Sequence, residues 1–447
     1  MTKDQELHVA IVGAGPAGLF AAQKLASSGY GVALFNRDIK PGGLVEYGIF
    51  LEKHKIKNGF RNQFRQILDD ERVEYYGNVS VGKAGKFNLE NLFQWGFQAV
   101  LVSCGAQGTK LINLPGENLK GVYHAKDLVY HYNQLPPYSS KPFPIGKKVA
   151  IIGAGNVMTD IAHYLICYCD VEEILVVIRR GPGEVKFDQK EVLPIIAHLD
   201  MDDFSAEMDR VTPAMLAIGQ DPEAAQHRVT VTLEKACPKE HTGRIIFRFL
   251  HSPVEILSDA EGKVRGIKTE HNTLEKVDEQ VLARGCGDTE EFMLDNVIFA
   301  IGDEISDDLN LPLQGGRVFS SPKPKFPVEG ISFEVGDPQT GQPVPGLFIA
   351  GWSRNPSTGL AGIARRDGVF AASAIEQYLH SLEKLSALNG GVLEERLKEL
   401  GLCFVGNENL KLLEEDEKRQ AEKTGQEEFK YPTNDEMLEA MGLPPCR

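Results

Sequence analysis

The most regular feature of the chain is a short apolar run followed by glycines and then a helix-like stretch, and it occurs twice. His8-Val9-Ala10-Ile11-Val12 leads into Gly13-Ala14-Gly15-Pro16-Ala17-Gly18, and Val149-Ala150-Ile151-Ile152 leads into Gly153-Ala154-Gly155-Asn156-Val157-Met158. Apolar runs without alternation mark strands covered on both faces, as in parallel sheets. A helix from about Pro16 to Ser28 and a strand at Gly31 to Phe35 complete the first unit, and the same order recurs from Lys147 to Ile178. The fold class this predicts is α/β, with two Rossmann-like dinucleotide-binding domains.

Further strands are expected at Gln98 to Ser103, Val229 to Leu233, Arg244 to Leu250, Val254 to Ile256, Val297 to Ile301 and Leu347 to Ala350, with a helix from about Gly362 to His380. The late strand and helix resemble a return to the first unit, so the middle domain reads as an insertion. The expected division is 1–108 and 329–447 for the first domain and 109–328 for the second. The segment from Gly406 to Arg447 holds eleven Asp and Glu against six Lys and Arg, and reads as a solvated face or surface extension.

Composition narrows the function. At 447 residues and 42% hydrophobic, the chain has material for two or three cores. No apolar run approaches the ~20 residues of a membrane span, and a phosphate loop beginning at Gly13 leaves no room for a cleavable leader, so a cytoplasmic protein without stable membrane association is expected. A net charge of -15 argues against nucleic acid or an anionic membrane as partner. Seven cysteines without a CxxC pair argue against an iron-sulfur cluster or a redox dithiol, and buried, inert thiols are expected instead. The eleven histidines show no HExxH or other clustered ligand spacing, so no metal site is expected. There is no GxSxG elbow to suggest hydrolysis.

In a dinucleotide loop the first glycine makes the turn, the second admits the pyrophosphate, and the third lets the helix pack closely, with phosphate on the positive helix end. Gly13, Gly15 and Gly18 meet all three demands. In the second loop Met158 takes the third place, which predicts looser helix packing. Arg179 and Arg180 follow the strand at Ile174 to Ile178; two guanidiniums there favour a 2'-phosphate, hence NADP over NAD. Asn36 ends the corresponding strand of the first unit, where an amide would bond a ribose hydroxyl less strongly than a carboxylate.

The segment Pro41-Gly42-Gly43-Leu44-Val45-Glu46-Tyr47-Gly48-Ile49 resembles the adrenodoxin reductase-like branch of the ferredoxin–NADP reductases. So do Cys104-Gly105-Ala106 with Leu114-Pro115-Gly116-Glu117, Arg179-Arg180-Gly181-Pro182 with Lys190-Glu191, Gly351-Trp352 with Thr358-Gly359, and Asn434 to Leu438. The likeness runs in order along nearly the whole chain. It implies FAD in the first domain, NADP(H) in the inserted one, and single electrons passed to a ferredoxin or similar small iron-sulfur protein. By this resemblance Gly13, Gly15, Pro16, Ala17, Gly18, Asn36, Leu44, Val81, Trp352, Gly359, Leu360 and Ala361 contact FAD. NADP falls to Gly153, Ala154, Gly155, Asn156, Val157, Arg179, Arg180, Glu191 and Gly359. Glu191, Trp352 and Gly359 form the reacting end: Glu191 orients the nicotinamide carboxamide, Trp352 walls the flavin, and Gly359 leaves backbone bare for stacked rings. Asn36 stands where the family has its ribose-binding Glu, and Lys53 where members often carry a His.

The leading expectation is a freestanding, monomeric NADPH–ferredoxin reductase. An electron-input subunit resembling the small subunit of glutamate synthase is the alternative; such subunits usually begin with a cysteine-rich iron-sulfur segment that has no counterpart before Gly13. A flavoprotein sensing the nicotinamide ratio without catalysis is a third reading.

Overall fold

The computed structural model describes residues 6–445 except 237, 240 and 279, so Cys237 and Cys446 lie outside the described residues. In chain order the principal elements begin with β1 (Val9–Val12), α1 (Pro16–Ser27), β2 (Val32–Phe35), α2 (His54–Leu68), β3 (Val73–Tyr76) and β4 (Ala99–Val102). Then come β5 (Val122–His124), β6 (Lys148–Ile152), α3 (Asn156–Tyr168), β7 (Glu173–Ile178), α4 (Gln189–Val192), α5 (Met201–Ala217) and α6 (Pro222–Thr230). The remainder are β8 (Arg244–Phe249), β9 (His251–Ser258), β10 (Val264–Val277), β11 (Gln280–Met293), β12 (Asn296–Phe299), β13 (Glu334–Gly336), β14 (Pro343–Ile349), α7 (Ala361–His380), α8 (Asn407–Thr424) and α9 (Asn434–Ala440).

These form two units. The first comprises residues 1–110, 130–140 and 302–447, the second 111–129 and 141–301. Residues 302–328, expected with the second unit, belong to the first. Their own pairings explain why: Asp303–Glu304 run antiparallel to Gly108–Thr109, and Leu311 and Val318 join the first unit's core. Residues 130–140 also belong to the first unit, where Tyr130 and Leu135 pack on Tyr47.

The first unit is built on a six-stranded sheet in the order β13-β14-β4-β1-β2-β3, parallel apart from the β13–β14 pair. Successive side chains of β1 enter opposite cores, Val9 and Ile11 with Leu19, Phe20 and Ile375, and Ala10 and Val12 with Phe35, Val100 and Ile349. This double coverage is why the strand reads as an unbroken apolar run. The second unit has a parallel sheet β8-β7-β6-β12-β5. Ile256 and Ile267 of the antiparallel meander β9-β10-β11 share a core with its Ala150, Ile152 and Phe299.

Three expectations are corrected. The strand expected at Val229 to Leu233 is helical, because the Asp221 carboxylate accepts the Ala224 N–H at 3.1 Å and Pro222 starts α6. The acidic C-terminal segment is no surface extension: Leu410, Leu413, Met437 and Leu438 lie in the first unit's core, and Asp416 and Glu417 are buried. Its acids pair with cations far away in sequence, which composition cannot register. Of the described cysteines, Cys104, Cys167, Cys169 and Cys403 are partly exposed and Cys286 is exposed, so the expected burial does not hold.

Candidate functional sites: two phosphate loops

In the first unit Gly13 has φ +109°, and an added Cβ would lie 2.6 Å from the Cys104 backbone. A Cβ on Gly18 would lie 2.0 Å from Gly13 O, so α1 can approach the turn only without a side chain there. Gly15 differs: nothing lies within 4 Å of its added Cβ, so the space that a side chain would fill is open. Pro16 begins α1, Gly15 is its N-cap, and no acid stands in the first turn. Bare amides and the positive helix end therefore face that space, a setting that suits a pyrophosphate.

The loop is held from behind. Ala14 N–H donates to Asn36 Oδ1 at 3.1 Å, and Ala14 O accepts from Gly42 N at 2.7 Å. Asn36 is buried, and its Nδ2 donates to Asp38 O (2.9 Å), Lys40 O (3.0 Å) and Tyr75 Oη (3.2 Å). The expected role for Asn36, offering its amide to a ribose, is thus replaced by one in which the amide braces the loop. The nearby strand-end carboxylate, Asp38, is paired with Arg37 at 3.0 Å; sequence reasoning passed over it because it lies two positions beyond the usual place. Gly43, at φ +52°, would bring a Cβ within 3.2 Å of Gly15 Cα, which sets the turn preceding Leu44 directly against the phosphate loop. Val81 is buried and bridges to Phe87.

The C-terminal part of this unit supplies a second wall. Asp367 on α7 accepts from Gly351 N at 2.6 Å and pairs with Arg354, fixing the turn that carries Trp352. Trp352 Nε1 donates to Thr358 O at 3.1 Å. Gly359 follows at φ +75°, exposed, and then Leu360, the N-cap of α7, and Ala361. Leu360 and Ile363 are 65% and 58% exposed, an apolar patch beside the bare Gly359 backbone that a planar ring could cover. The first turn of α7 carries no acid.

The second loop repeats the turn. Gly153 has φ +122°, with Ala300 O 2.5 Å from an added Cβ, while Gly155 is open and caps α3 without an acid in the first turn. Met158, in the third position, is fully buried. Ala154 O accepts from Lys186 N at 2.9 Å, and Asn156 and Asp188 clasp each other, Nδ2 to Oδ2 at 2.8 Å and Asp188 N to Oδ1 at 2.7 Å. Val157 is exposed on α3, and Glu191 sits on α4 just beyond this clasp.

Arg179 and Arg180 leave β7 into a cavity of about 530 Å³ lined also by Glu184 and by Gln280 to Arg284 of β11. Among the described residues no carboxylate pairs with either guanidinium. Glu184 is engaged by Gly181 N–H at 3.0 Å and by Gln220. The meander and the residue before it hold the arginine backbone: Asn272 Nδ2 on β10 donates to Arg179 O at 2.9 Å, and Leu250 N, just before β9, to Arg180 O at 3.2 Å. Arg284 went unnoticed in the sequence because its place depends on β10–β11 pairing, Thr273 opposite Arg284. Trp352 and Gly359 belong to the first unit, and Glu191, Arg179 and Arg180 to the second; Gly359, expected to touch NADP as well, is thus not in the unit of the second loop.

Comparison with known proteins bears on these two loops together. Residues 7–196 match the family model described as pyridine nucleotide-disulphide oxidoreductase. The chain is 29% identical to NADPH-ferredoxin reductase FprA of Mycobacterium leprae, covering 96% of this chain and 97% of that protein. It is 28% identical to mitochondrial NADPH:adrenodoxin oxidoreductase of Bos taurus, covering 99% and 93%. These two relatives, matched along nearly their whole length, support the resemblance to the adrenodoxin reductase-like family of ferredoxin–NADP reductases. The family's fold is evident in Mycobacterium tuberculosis FprA in complex with NADPH, which superposes with a TM-score of 0.82 at 23% identity over 98% of this chain and all of that one. No described helix is long and apolar enough to cross a membrane.

Proposed function

We propose that the chain is an FAD-dependent NADPH–ferredoxin oxidoreductase, with FAD held in the first unit and NADP(H) in the second. The observation that carries this reading is the pair of loops in which Gly15 and Gly155 open onto free space at acid-free helix ends, one of them served by Arg179 and Arg180, which have no carboxylate partner among the described residues. A pyrophosphate fits both places, because backbone amides can approach it where no Cβ intervenes. FAD, when bound, supplies the acceptor for the nicotinamide's two electrons and the outlet for single electrons.

The chain's own residues bind and orient. Arg179 and Arg180 hold the 2'-phosphate with charge-assisted hydrogen bonds, and Arg284, paired with Glu275 at 2.9 Å, lines the same cavity. Asn36 and Gly42 fix Ala14, so the first loop is rigid before any ligand arrives. Trp352 is anchored through Thr358 and walls the ring site, while Gly359 keeps backbone bare. Glu191 orients the nicotinamide carboxamide. The acid-free N-terminus of α7 favours negative charge near Ala361. The partner is a small iron-sulfur protein, as the names of the two relatives suggest, and a monomer in the cytoplasm is the setting we assign.

Anaerobic titration tests the reading. NADPH should bleach the flavin absorbance, and added ferredoxin should then restore it. A protein that binds FAD but is not reduced by NADPH, or is reduced equally well by NADH, would overturn the assignment.

A further inference from the structure

Away from both phosphate loops, three ligand-bearing side chains meet on the meander of the second unit. His251 on β9 stands opposite His271 on β10, and Glu290 on β11 stands opposite Thr269. β10 is irregular against β11 between Glu270 and Asn272, and contacts bring the four side chains together: His251 meets Thr269, and Glu290 approaches both histidines. Glu290 Oε2 lies 4.0 Å from His251 Nε2 and 3.7 Å from His271 Nε2, and the three ligand atoms fall within 4.8 Å of one another.

His251 is fully buried and firmly oriented. Its Nδ1 lies 2.8 Å from Thr269 Oγ1, whose own proton faces Glu290 O at 3.5 Å. With the hydroxyl donating to the carbonyl, its oxygen accepts the Nδ1 proton, and Nε2 keeps its lone pair. That Nε2 is buried without a hydrogen-bond partner and faces Glu290 and His271. Leaving such an atom unsatisfied costs about 1–3 kcal/mol, which a ligand would relieve. Burial, reinforced by Arg210, His271 and Arg248, keeps the His251 ring neutral, the form that binds metals. Arg210 pairs with Glu207 at 2.7 Å and Arg248 with Asp203 at 2.8 Å, which offsets part of the positive charge near the site.

We propose that His251, His271 and Glu290 form a zinc site, with two imidazole nitrogens and one carboxylate oxygen as ligands and a fourth position open to solvent. Borderline donors of this kind suit zinc better than calcium or magnesium, which prefer all-oxygen sites. Zinc–nitrogen bonds of about 2.0–2.1 Å place tetrahedral donors roughly 3.3–3.5 Å apart. His271 and Glu290, with side chains 32% and 45% exposed, have the freedom to close from the observed spacing, while Thr269 keeps His251 in place. Asn272 on β10 and Leu250, the residue just before β9, hold the backbone of Arg179 and Arg180, so a metal clamp here would stiffen the support of the NADP cavity.

The test uses the flavin-loaded full chain, stripped with a chelator and titrated with zinc against a chromophoric competitor. One equivalent should bind, with a rise in melting temperature. Cobalt substituted for zinc should give visible bands of nitrogen and oxygen ligation without a thiolate charge-transfer band. His271→Ala and Glu290→Gln alter partly exposed side chains, so the fold should survive, and each should weaken zinc by at least ~10-fold, the loss seen even for outer-sphere partners. Absence of a stoichiometric site, equal affinity in both variants, or a thiolate band would overturn the proposal and leave a water molecule as the partner of Nε2.

Discussion

Glu46→Gln should destabilise the first unit, because Glu46 is the anion on which a buried cation cluster converges. Its carboxylate, with the side chain 3% exposed, lies 3.3 Å from Lys40, 3.1 Å from Lys430 and 2.7 Å from Arg61. Burial opposes its charge, yet Lys40, Lys430 and Arg61 outweigh burial and hold the carboxyl well below its ordinary range. Each contact near 3 Å represents roughly 5 kcal/mol of attraction at an effective dielectric of 20, before desolvation is subtracted. Breaking a buried pair costs about 3–5 kcal/mol net. Lys40 retains Glu417 at 2.5 Å, and Lys430 retains Glu428 at 3.6 Å, which puts the expected loss toward the lower figure. That corresponds to a fall in melting temperature of roughly 6–12 °C for a unit of a few hundred residues.

Urea denaturation of the flavin-loaded protein, followed by tryptophan and flavin fluorescence, would measure the loss. Urea avoids the ionic screening that guanidinium would add. Glu329→Gln serves as control: its pair with Arg366 is 60% and 68% exposed, and should be worth less than about 0.5 kcal/mol. The acid limb provides a second reading. A depressed carboxyl contributes its full stabilisation above its unfolded pKa near 4.5 and loses it as pH falls through the folded value, so variant and wild type should converge in acid. Glu428, held down to about 2 by Lys430, Arg61 and Lys57 against the effect of burial, steepens the wild-type loss over the same range. A Glu46→Gln penalty under about 1 kcal/mol at neutral pH, or one that does not shrink in acid, would show that the cluster is solvated and refute the argument.

Other outcomes follow from the phosphate sites. Arg179→Ala and Arg180→Ala should each raise KM for NADPH by roughly 10- to 100-fold, from the ~1.5–3 kcal/mol of a charged hydrogen bond, while NADH kinetics change little; parallel losses with both cofactors in steady-state assays would contradict a 2'-phosphate role. Asn36→Asp separates bracing from ribose binding: a carboxylate facing Asp38 O and Lys40 O should loosen the loop and weaken FAD retention in equilibrium dialysis, whereas tighter FAD would restore the ribose role. Gly155→Val places a side chain in open space, so urea stability should hold while NADPH affinity falls by at least ~10-fold, about 1.4 kcal/mol; unchanged affinity by titration would remove the phosphate from that loop.

Features that depend on neighbours along the chain are legible in the order of residues. Strands buried on both faces must be apolar throughout, so β1, β4, β6 and β7 stand out as runs. A turn that needs φ > 0 must carry glycine, so both phosphate loops were legible, as was the arginine pair at the end of β7. Tertiary structure alone decided what depends on residues far apart. Asn36 looked like a weakened ribose contact until the Ala14 amide and two carbonyls were seen to occupy it. The acidic tail looked like a solvated surface because Lys40 and Arg61, which pair with Glu417 and Glu428, lie more than three hundred residues upstream. Arg284 and the His251, His271, Glu290 cluster depend on register between strands, and register leaves no mark in the spacing of the residues it joins.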